Sequence, residues 1–594
     1  MIEADRADYE SNLGSSRSTT SLFRYFRSFK STSIPLTVNY SDETANDPKS
    51  QCTLFSEYFS KIFKQSSVPT FDELSETVLE PLRDFDISIL KIEDVCNSLV
   101  ISKAAGPDGI PPILFKKCAK SLSKSLFQIF TKIKQTGVYP MVWKQAVVVP
   151  TFKKGSKSDV ENYRQVSLLC IVSKIFERIL FDVLYNYLKQ IFSPSQFGFR
   201  KGRSCVIQMV IYLETLYDAY ESGKDINVIY TDYEKAFDKV DHGLLLQKLH
   251  KIGIRGRLLK LLQSYLTGRS QRIRIRGCFS DERPISSGVP QGSILSSLLF
   301  IIYINDLPDL CKSVLPLLCA DDAKFIAINK PKLPVQIDLS RVKRWSDYHG
   351  LPLNTGKCND LALSNSNTQY YFAASPILKT DCQKDLGILV SKDLKWDLHI
   401  KTACSKALGV FFMLKRSSPT LSLITKLNLY KSMVVPTLIY GSVCWFNNVT
   451  NTKCLEKVQK RCTRWISSDW KSNYKQLLLK CNLLPLSLYL QLQDILFLMK
   501  CMGGRFDYNF DRYLCVRDHP RPVRSDNYLT FAHRNPRSTI CQQSFFTRTM
   551  ALINRLPNSL NFREPEGLKE RILKHLWSHF EKNYNELVSD TWKL

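Results

Sequence analysis

A chain of 594 residues with 44% hydrophobic and 11% aromatic content has enough apolar material for several structural units, which excludes wholesale disorder. Its 83 Lys and Arg against 55 Asp and Glu leave a formal charge of +28, spread along the chain, which favours a polyanionic partner over an acidic membrane surface. No apolar run reaches the ~18 residues needed to span a bilayer, and the polar start Met1–Glu10 does not read as a signal peptide.

Residues 1 to about 50 are rich in Ser, Thr, Asn and charge, with an aromatic-basic patch at Phe23–Arg27. The spacing of Phe55, Phe59 and Phe63 then predicts a docked helix over Thr53–Phe63. Lys103–Pro112 is a Gly/Pro turn region. Beyond it, short strands at Ala146–Pro150 and Ile226–Tyr230 alternate with helical patterns. One helix after Asn162 carries Ile171, Ile175, Ile179 and Val183 on one face, and Leu298–Ile304 reads as a short buried core segment. This alternation predicts an α+β sheet domain to about residue 395. From Lys401 to about Met502 the pattern is helical, and the last ninety residues are basic and rich in Pro and Asn. The 18 Cys form no C-x-x-C pair and no zinc-spaced cluster, so they read as reduced thiols of an intracellular protein.

Two places put acidic residues where packing should be. Asn227–Thr231 is a strand pattern ending at Asp232, with helical spacing resuming after Asp241, a predicted N-cap. Leu317–Ile326 places Ala320-Asp321-Asp322 between two apolar runs, which predicts a hairpin with adjacent carboxylates at its tip. Taken singly, these are a polar turn and a strand-end residue. Taken together, side-by-side carboxylates repel unless a cation lies between them, and apolar flanks make an unpaired site costly. Two Mg²⁺ ions roughly 3.5–4 Å apart would satisfy them and suit nucleotidyl transfer; Mn²⁺ is the alternative ion.

The series of motifs around these aspartates resembles the reverse transcriptases of non-long-terminal-repeat retrotransposons of the jockey type. Ala105–Ile110, Trp143–Pro150, Lys153-Lys154-Gly155, Asn162-Tyr163-Arg164 and Phe197–Ser204 are similar to the family's fingers blocks. Asp232 with Lys235–Asp238 resembles motif A, Gly288–Ser293 motif B, Ala320-Asp321-Asp322 motif C, Leu353-Asn354 with Lys357 motif D, and Leu386-Gly387 to His399 motif E. Tyr440-Gly441 with Trp445, Gln459–Arg461, Ser544–Phe546 and Arg555–Pro557 continue the likeness downstream.

The resemblance implies an α+β right-hand polymerase of fingers, palm and thumb, with an antiparallel palm sheet and a helical, basic C-terminal region. It implies a linker-like segment at 1–95, fingers and palm at 96–395, a helical thumb at 396–470, and the basic region at 471–594. Asp232, Asp321 and Asp322 would ligate the metals with the Tyr233 carbonyl assisting, and Lys357 would protonate the leaving pyrophosphate. Lys153, Lys154 and Arg164 would grip the incoming triphosphate, since Arg offers phosphate a planar fork and Lys a compact charge. Gln291 and Gly292 would sit beside the nascent pair. Phe237 would lie under the sugar, leaving no room for a 2′-hydroxyl and so selecting dNTPs. Arg200, Arg203, Arg461, Arg464, Arg521, Arg524 and Arg537 would bind nucleic acid. The partners implied are an RNA template, a DNA primer and the element's own RNA, with no membrane, and copying at a chromosomal nick implies the nucleus.

Departures from the family pattern are Gln165 where Pro is usual, Ser296-Ser297 for Gly-Pro, Cys319 and Ala323 for Phe and Thr, and Ile553 for Trp. A viral RNA polymerase is disfavoured, because it usually shows Gly-Asp-Asp and a second Asp where Phe237 stands. A group II intron maturase would need X and endonuclease segments that the sequence does not show. No nuclease constellation is visible before residue 100 or at the end, so this copy is not expected to nick its own target. Two readings of different class stay open: an active RNA-directed DNA polymerase, and an inactive relic that binds nucleic acid. The three intact aspartates favour the first, whereas the departures and the lack of a nuclease favour the second.

Overall fold

The computed structural model describes residues 34–588 except 69–70, 72–76, 364–367, 418–420, 448–451, 515, 517–530, 533–535, 558–559, 561 and 563–565. The aromatic-basic patch at 23–27 lies outside the described residues, as do Arg521 and Arg524. The first long helix, α1 (Pro48–Ile62), starts earlier than the Phe spacing predicts, because Asp47 caps it and Pro48 presets its first turn. Its Phe55 and Phe59 pack on a small sheet in which β1 (Gln145–Phe152) lies between β2 (Tyr163–Leu168), antiparallel, and Arg269–Ile275, parallel.

The second sheet carries the acidic residues. β3 (Ile226–Thr231) is buried along its whole length, and its polar Asn227 and Thr231 side chains are satisfied, Asn227 by the Asp360 carboxylate and Thr231 by the Ala323 carbonyl. Beside it run β4 (Leu315–Cys319), β5 (Asp322–Ile328) and β6 (Asn359–Ala362), in the order β6-β3-β5-β4. Each neighbouring pair in this order is antiparallel, in line with the antiparallel sheet expected from the sequence. A two-residue strand, Leu378–Lys379, departs from that expectation by adding to the β6 edge in parallel.

Alternate residues of this sheet feed two cores. Ile229, Phe325 and Ala327 face the helices α2 (Ile171–Leu188) and α4 (Leu295–Tyr303), and the latter absorbs the predicted buried segment. Val228, Tyr230 and Ile326 face α3 (Cys205–Glu221), which is buried along most of its length.

The far side of α3 is covered by the C-terminal part of the chain. A single hydrophobic core links α3 to the helices Asp397–Ser417 and Thr452–Ser467, and to α5 (Leu486–Met502), α6 (Phe545–Arg555) and α7 (Leu568–Val588). The expected division at 470 runs through this core, since Leu455, Val458 and Cys462 share it with Leu478, Leu488 and Ile495. Among the described residues no single helix is long and apolar enough to cross a membrane; the bent pair Tyr474–Cys481 and Leu486–Met502 supplies core residues instead.

The C-terminal helices are fixed by polar contacts as well as by packing. Arg548 forms a buried two-point ion pair with Asp494, Nε–Oδ2 2.9 Å and Nη2–Oδ1 3.1 Å, and also donates to the carbonyls of Val443 and Gln543. Burial, opposed by the Arg548 charge, raises the Asp494 carboxyl to about 6. Glu214 of α3 accepts from the amide of Phe546, and the Cys541 thiol donates to the Tyr217 carbonyl. Removing one member of a buried pair strands the other's charge. Arg548→Met is therefore expected to cost about 3–5 kcal/mol in urea denaturation, whereas Lys392→Met, breaking the exposed pair with Asp381, leaves the midpoint unmoved.

Candidate active site

Strand register brings the two acidic segments together. Ala323 of β5 pairs with Thr231 of β3, so the next step along both strands sets Asp322 beside Asp232. Cys319 pairs with Asp322, leaving Ala320 and Asp321 as a two-residue turn whose Ala320 adopts φ 58°. The predicted hairpin with carboxylates at its tip is thus present.

The turn is held from behind by a segment that runs alongside β4. Phe197 N donates to Leu318 O (2.8 Å), and Leu318 N donates to Ser195 O (2.9 Å). The Gln196 side-chain oxygen accepts from Ala320 N (3.0 Å) and Gly198 N (2.7 Å). A Cβ on Gly198 would stand 2.3 Å from Ala320 N, so only glycine fits there. Sequence reasoning found Phe197 and Gly198 by motif but missed Gln196, an uncharged residue with no pattern to mark it.

Around the carboxylates lie two cavities. One, of about 500 Å³, is lined by Asp232, Tyr233 and Asp321 together with Lys153, Arg164, Phe237, Gln291 and Gly292. The other, of about 260 Å³, is lined by Asp232 and Asp322 with Lys153, Lys154, Lys357 and Asp385. All eleven candidate catalytic, metal-ligating and nucleotide-binding residues therefore border this space.

Their electrostatics follow from crowding. Burial, then Asp321, Asp385 and Asp232, pushes the Asp322 carboxyl up to about 6, and burial with Asp232 raises Asp321. Burial and the neighbouring Arg164 lower Lys153. Lys357 Nζ lies 3.3 Å from Asp232 Oδ2. Its loop is bound to the strand end by Asn354 N donating to Asp232 O (2.8 Å) and Glu234 N to Pro352 O (3.0 Å). Behind β5, Lys324 is buried in an ion pair with Asp385 and lies over the Tyr212 ring.

Phe237 is fixed in orientation, stacked on Phe300 at 4.2 Å and edge-on to Phe199 at 6.0 Å. Gln291 donates through Nε2 to Asp238 Oδ1 (2.9 Å), a buried carboxyl that Gln165 also hydrogen-bonds and that burial raises. The departure at Gln165 thus has a partner. Gly292 (φ 142°) passes so close to β2 that a Cβ would stand 2.2 Å from Ser167 O, so packing alone already requires glycine there.

The basic residues expected to bind nucleic acid divide. The side chains of Arg200 and Arg203 are 7% exposed and paired within the chain. Arg200 Nη2 reaches Asp507 Oδ2 (2.7 Å) and its Nη1 the Ser193 carbonyl (2.8 Å). Arg203 donates through Nε to the Asp507 carbonyl (2.8 Å), donates to the Pro194 carbonyl, and lies over the Phe197 ring. The turn at 200–204 needed a partner 300 residues away, and its guanidiniums supply the link. Arg461 and Arg537 are exposed, and Arg464 is half-buried.

Comparison with known proteins agrees with this geometry. Residues 152–393 match the family described as reverse transcriptase (RNA-dependent DNA polymerase). The chain is 27% identical over 447 residues to the probable RNA-directed DNA polymerase from transposon X-element of Drosophila melanogaster, covering 71% of this chain and 49% of that protein. It is 27% identical over 414 residues to the RNA-directed DNA polymerase from mobile element jockey of the same organism, covering 66% and 43%. The chain spans about half the length of these curated relatives. Gly198→Ala, which drives a methyl into the Ala320 amide, is expected to lose about 1–3 kcal/mol in urea denaturation. With the register and the bordering residues in hand, residues 152–393 match a reverse transcriptase domain, and the chain is similar to the polymerases of transposon X-element and of mobile element jockey.

Proposed function

We propose that the chain is an RNA-directed DNA polymerase that extends a DNA primer on an RNA template with dNTPs. The observation that carries this reading is the meeting of Asp232 and the Asp321-Asp322 turn at the edge of a cavity also lined by Lys153, Arg164 and Phe237. In this reading the β1–β2 sheet belongs to the fingers, the β3–β6 sheet is the palm, and the helices from Asp397 onward supply the thumb and a basic surface for the duplex.

Reverse transcriptases use divalent metal ions, and the residues here fit one. Three carboxylates with two raised pKa values favour a hard cation with oxygen ligands. Among the described residues no three His, Cys, Asp or Glu side chains converge closely enough to hold a metal ion by themselves. Mg²⁺ is commonly held by one or two carboxylates, with water and substrate phosphate completing its shell. Asp232, Asp321 and Asp322 would hold two such ions, with the Tyr233 carbonyl assisting. Bound there, Mg²⁺ supplies Lewis acidity at the primer 3′-hydroxyl and charge neutralisation at the leaving pyrophosphate.

The chain's own groups do the rest. Arg164 and Lys153 bind the triphosphate from the cavity wall, with Lys154 behind them. Lys357, released from Asp232, carries the proton that the pyrophosphate oxygen takes up. The Phe237 ring, held by Phe300, closes the space a 2′-hydroxyl would need. Gln291, its amide oriented by Asp238, lies against the nascent pair.

Primer extension on an RNA template with Mg²⁺ tests the reading. The full chain is expected to extend the primer and Asp321→Asn to lose roughly 100-fold or more in rate, the scale of a lost electrostatic contact to the transition state; equal absence of product from both would leave the relic. Phe237→Ala is expected to raise incorporation of ribonucleotides relative to deoxynucleotides in single-nucleotide competition. An unchanged ratio would remove Phe237 as the gate.

A further inference from the structure

A pair of thiols sits against the carboxylate turn. Cys319 closes β4 and lies directly across the register from Asp322. Cys205 is the first residue of α3, whose N-cap Ser204 accepts from Ile207 N. Their sulfurs are 3.4 Å apart, and both residues are partly exposed. Among the described residues most of the other cysteines are buried, and no other stands across a register pair from Asp322.

We propose that Cys205 and Cys319 form a two-electron oxidation site, closed to a disulfide by a peroxide, that disables the adjacent Asp321-Asp322 turn. A bond needs sulfurs about 2.05 Å apart, so closure asks for just over 1 Å of approach, within what a strand end and a helix start can supply together. Cys205 is the attacking group. It stands at the amino end of α3, with the Cys319 sulfur 3.4 Å away to resolve the oxidised intermediate. Its sulfur attacks the peroxide, forming an S–O bond as the O–O bond breaks and one water leaves. The Cys319 sulfur then displaces the second oxygen as water, forming the S–S bond. Two thiols are oxidised and one peroxide is reduced to two waters, and a dithiol reverses the sequence by exchange.

The consequence for turnover rests on the polymerase reading. Cys319 is held to Asp322 by the hairpin register, so drawing it toward α3 moves the end of the turn that carries both carboxylates. Displacements near 1 Å at a reacting centre cost roughly 100-fold. Tyr440, whose hydroxyl donates to the Leu386 carbonyl (3.1 Å), lies within electrostatic reach of both thiols, so the pair also sits where the helical region meets the sheet.

The test treats the purified full chain with hydrogen peroxide, alkylates the remaining thiols and digests with trypsin. Cys205 falls in the fragment Ser204–Lys224 and Cys319 in Ser313–Lys324, each with one cysteine. The expected product is these two fragments joined, separating on dithiothreitol. Primer extension should fall roughly tenfold or more on oxidation and return on reduction, while Cys205→Ser keeps its activity in peroxide. Recovery of the two fragments singly alkylated would overturn the proposal. So would a joined product with extension unchanged, or equal inactivation of Cys205→Ser. If the reduced protein extends no primer, the polymerase reading fails alone and the joined fragments still decide the thiol pair.

Discussion

Everything at the site depends on one strand pairing, the antiparallel register of β5 on β3. Side chains alternate along a strand, so a shift of one residue would turn Asp322 to the opposite face and separate it from Asp232. Burial on both faces guards against that slip. Lys324 lies over the Tyr212 ring and pairs with Asp385, while Tyr230, directly across from it, hydrogen-bonds Tyr212. The shifted register would turn the Lys324 ammonium toward the apolar core that holds Phe325, with no counter-ion there. The buried ion pair behind the turn thus specifies which way the carboxylates in front of it point.

Much of this was legible because the strands obey simple patterns. The strand read at Ile226–Tyr230 is present and runs one residue further, and the apolar flanks of Asp321-Asp322 and the Asp241 cap appear as read, the last with Asp241 accepting from Leu244 N. What escaped reading depends on partners far away in sequence. Phe545, Phe546, Thr549, Met550 and Ile553 make a helical stripe in a region that composition marks as merely basic, and their meaning comes from α3 and α5. Gln196 and Asp507 are ordinary polar residues until the fold sets one under the turn and the other between two arginines.

The basic surplus also has two uses that composition cannot separate. Some cations border the cavity, as Lys153, Lys154 and Arg164 do. Others use their charge inside the molecule: Arg200 and Arg203 reach Asp507 some 300 residues away, and Arg548 reaches Asp494, 54 residues away. A guanidinium suits this use because its planar donors can satisfy a carboxylate and several carbonyls at once. Net charge therefore overstates the charge offered to a polyanion.

Asp507 lies beyond the stretch, 152–393, that matches the polymerase family, yet it ties down the two arginines beside the segment that supports the carboxylate turn. A fragment trimmed to the matched stretch would leave those guanidiniums without their counter-charge and strip the covering from one side of α3. The part that is recognised by likeness is therefore smaller than the hydrophobic core to which α3 belongs.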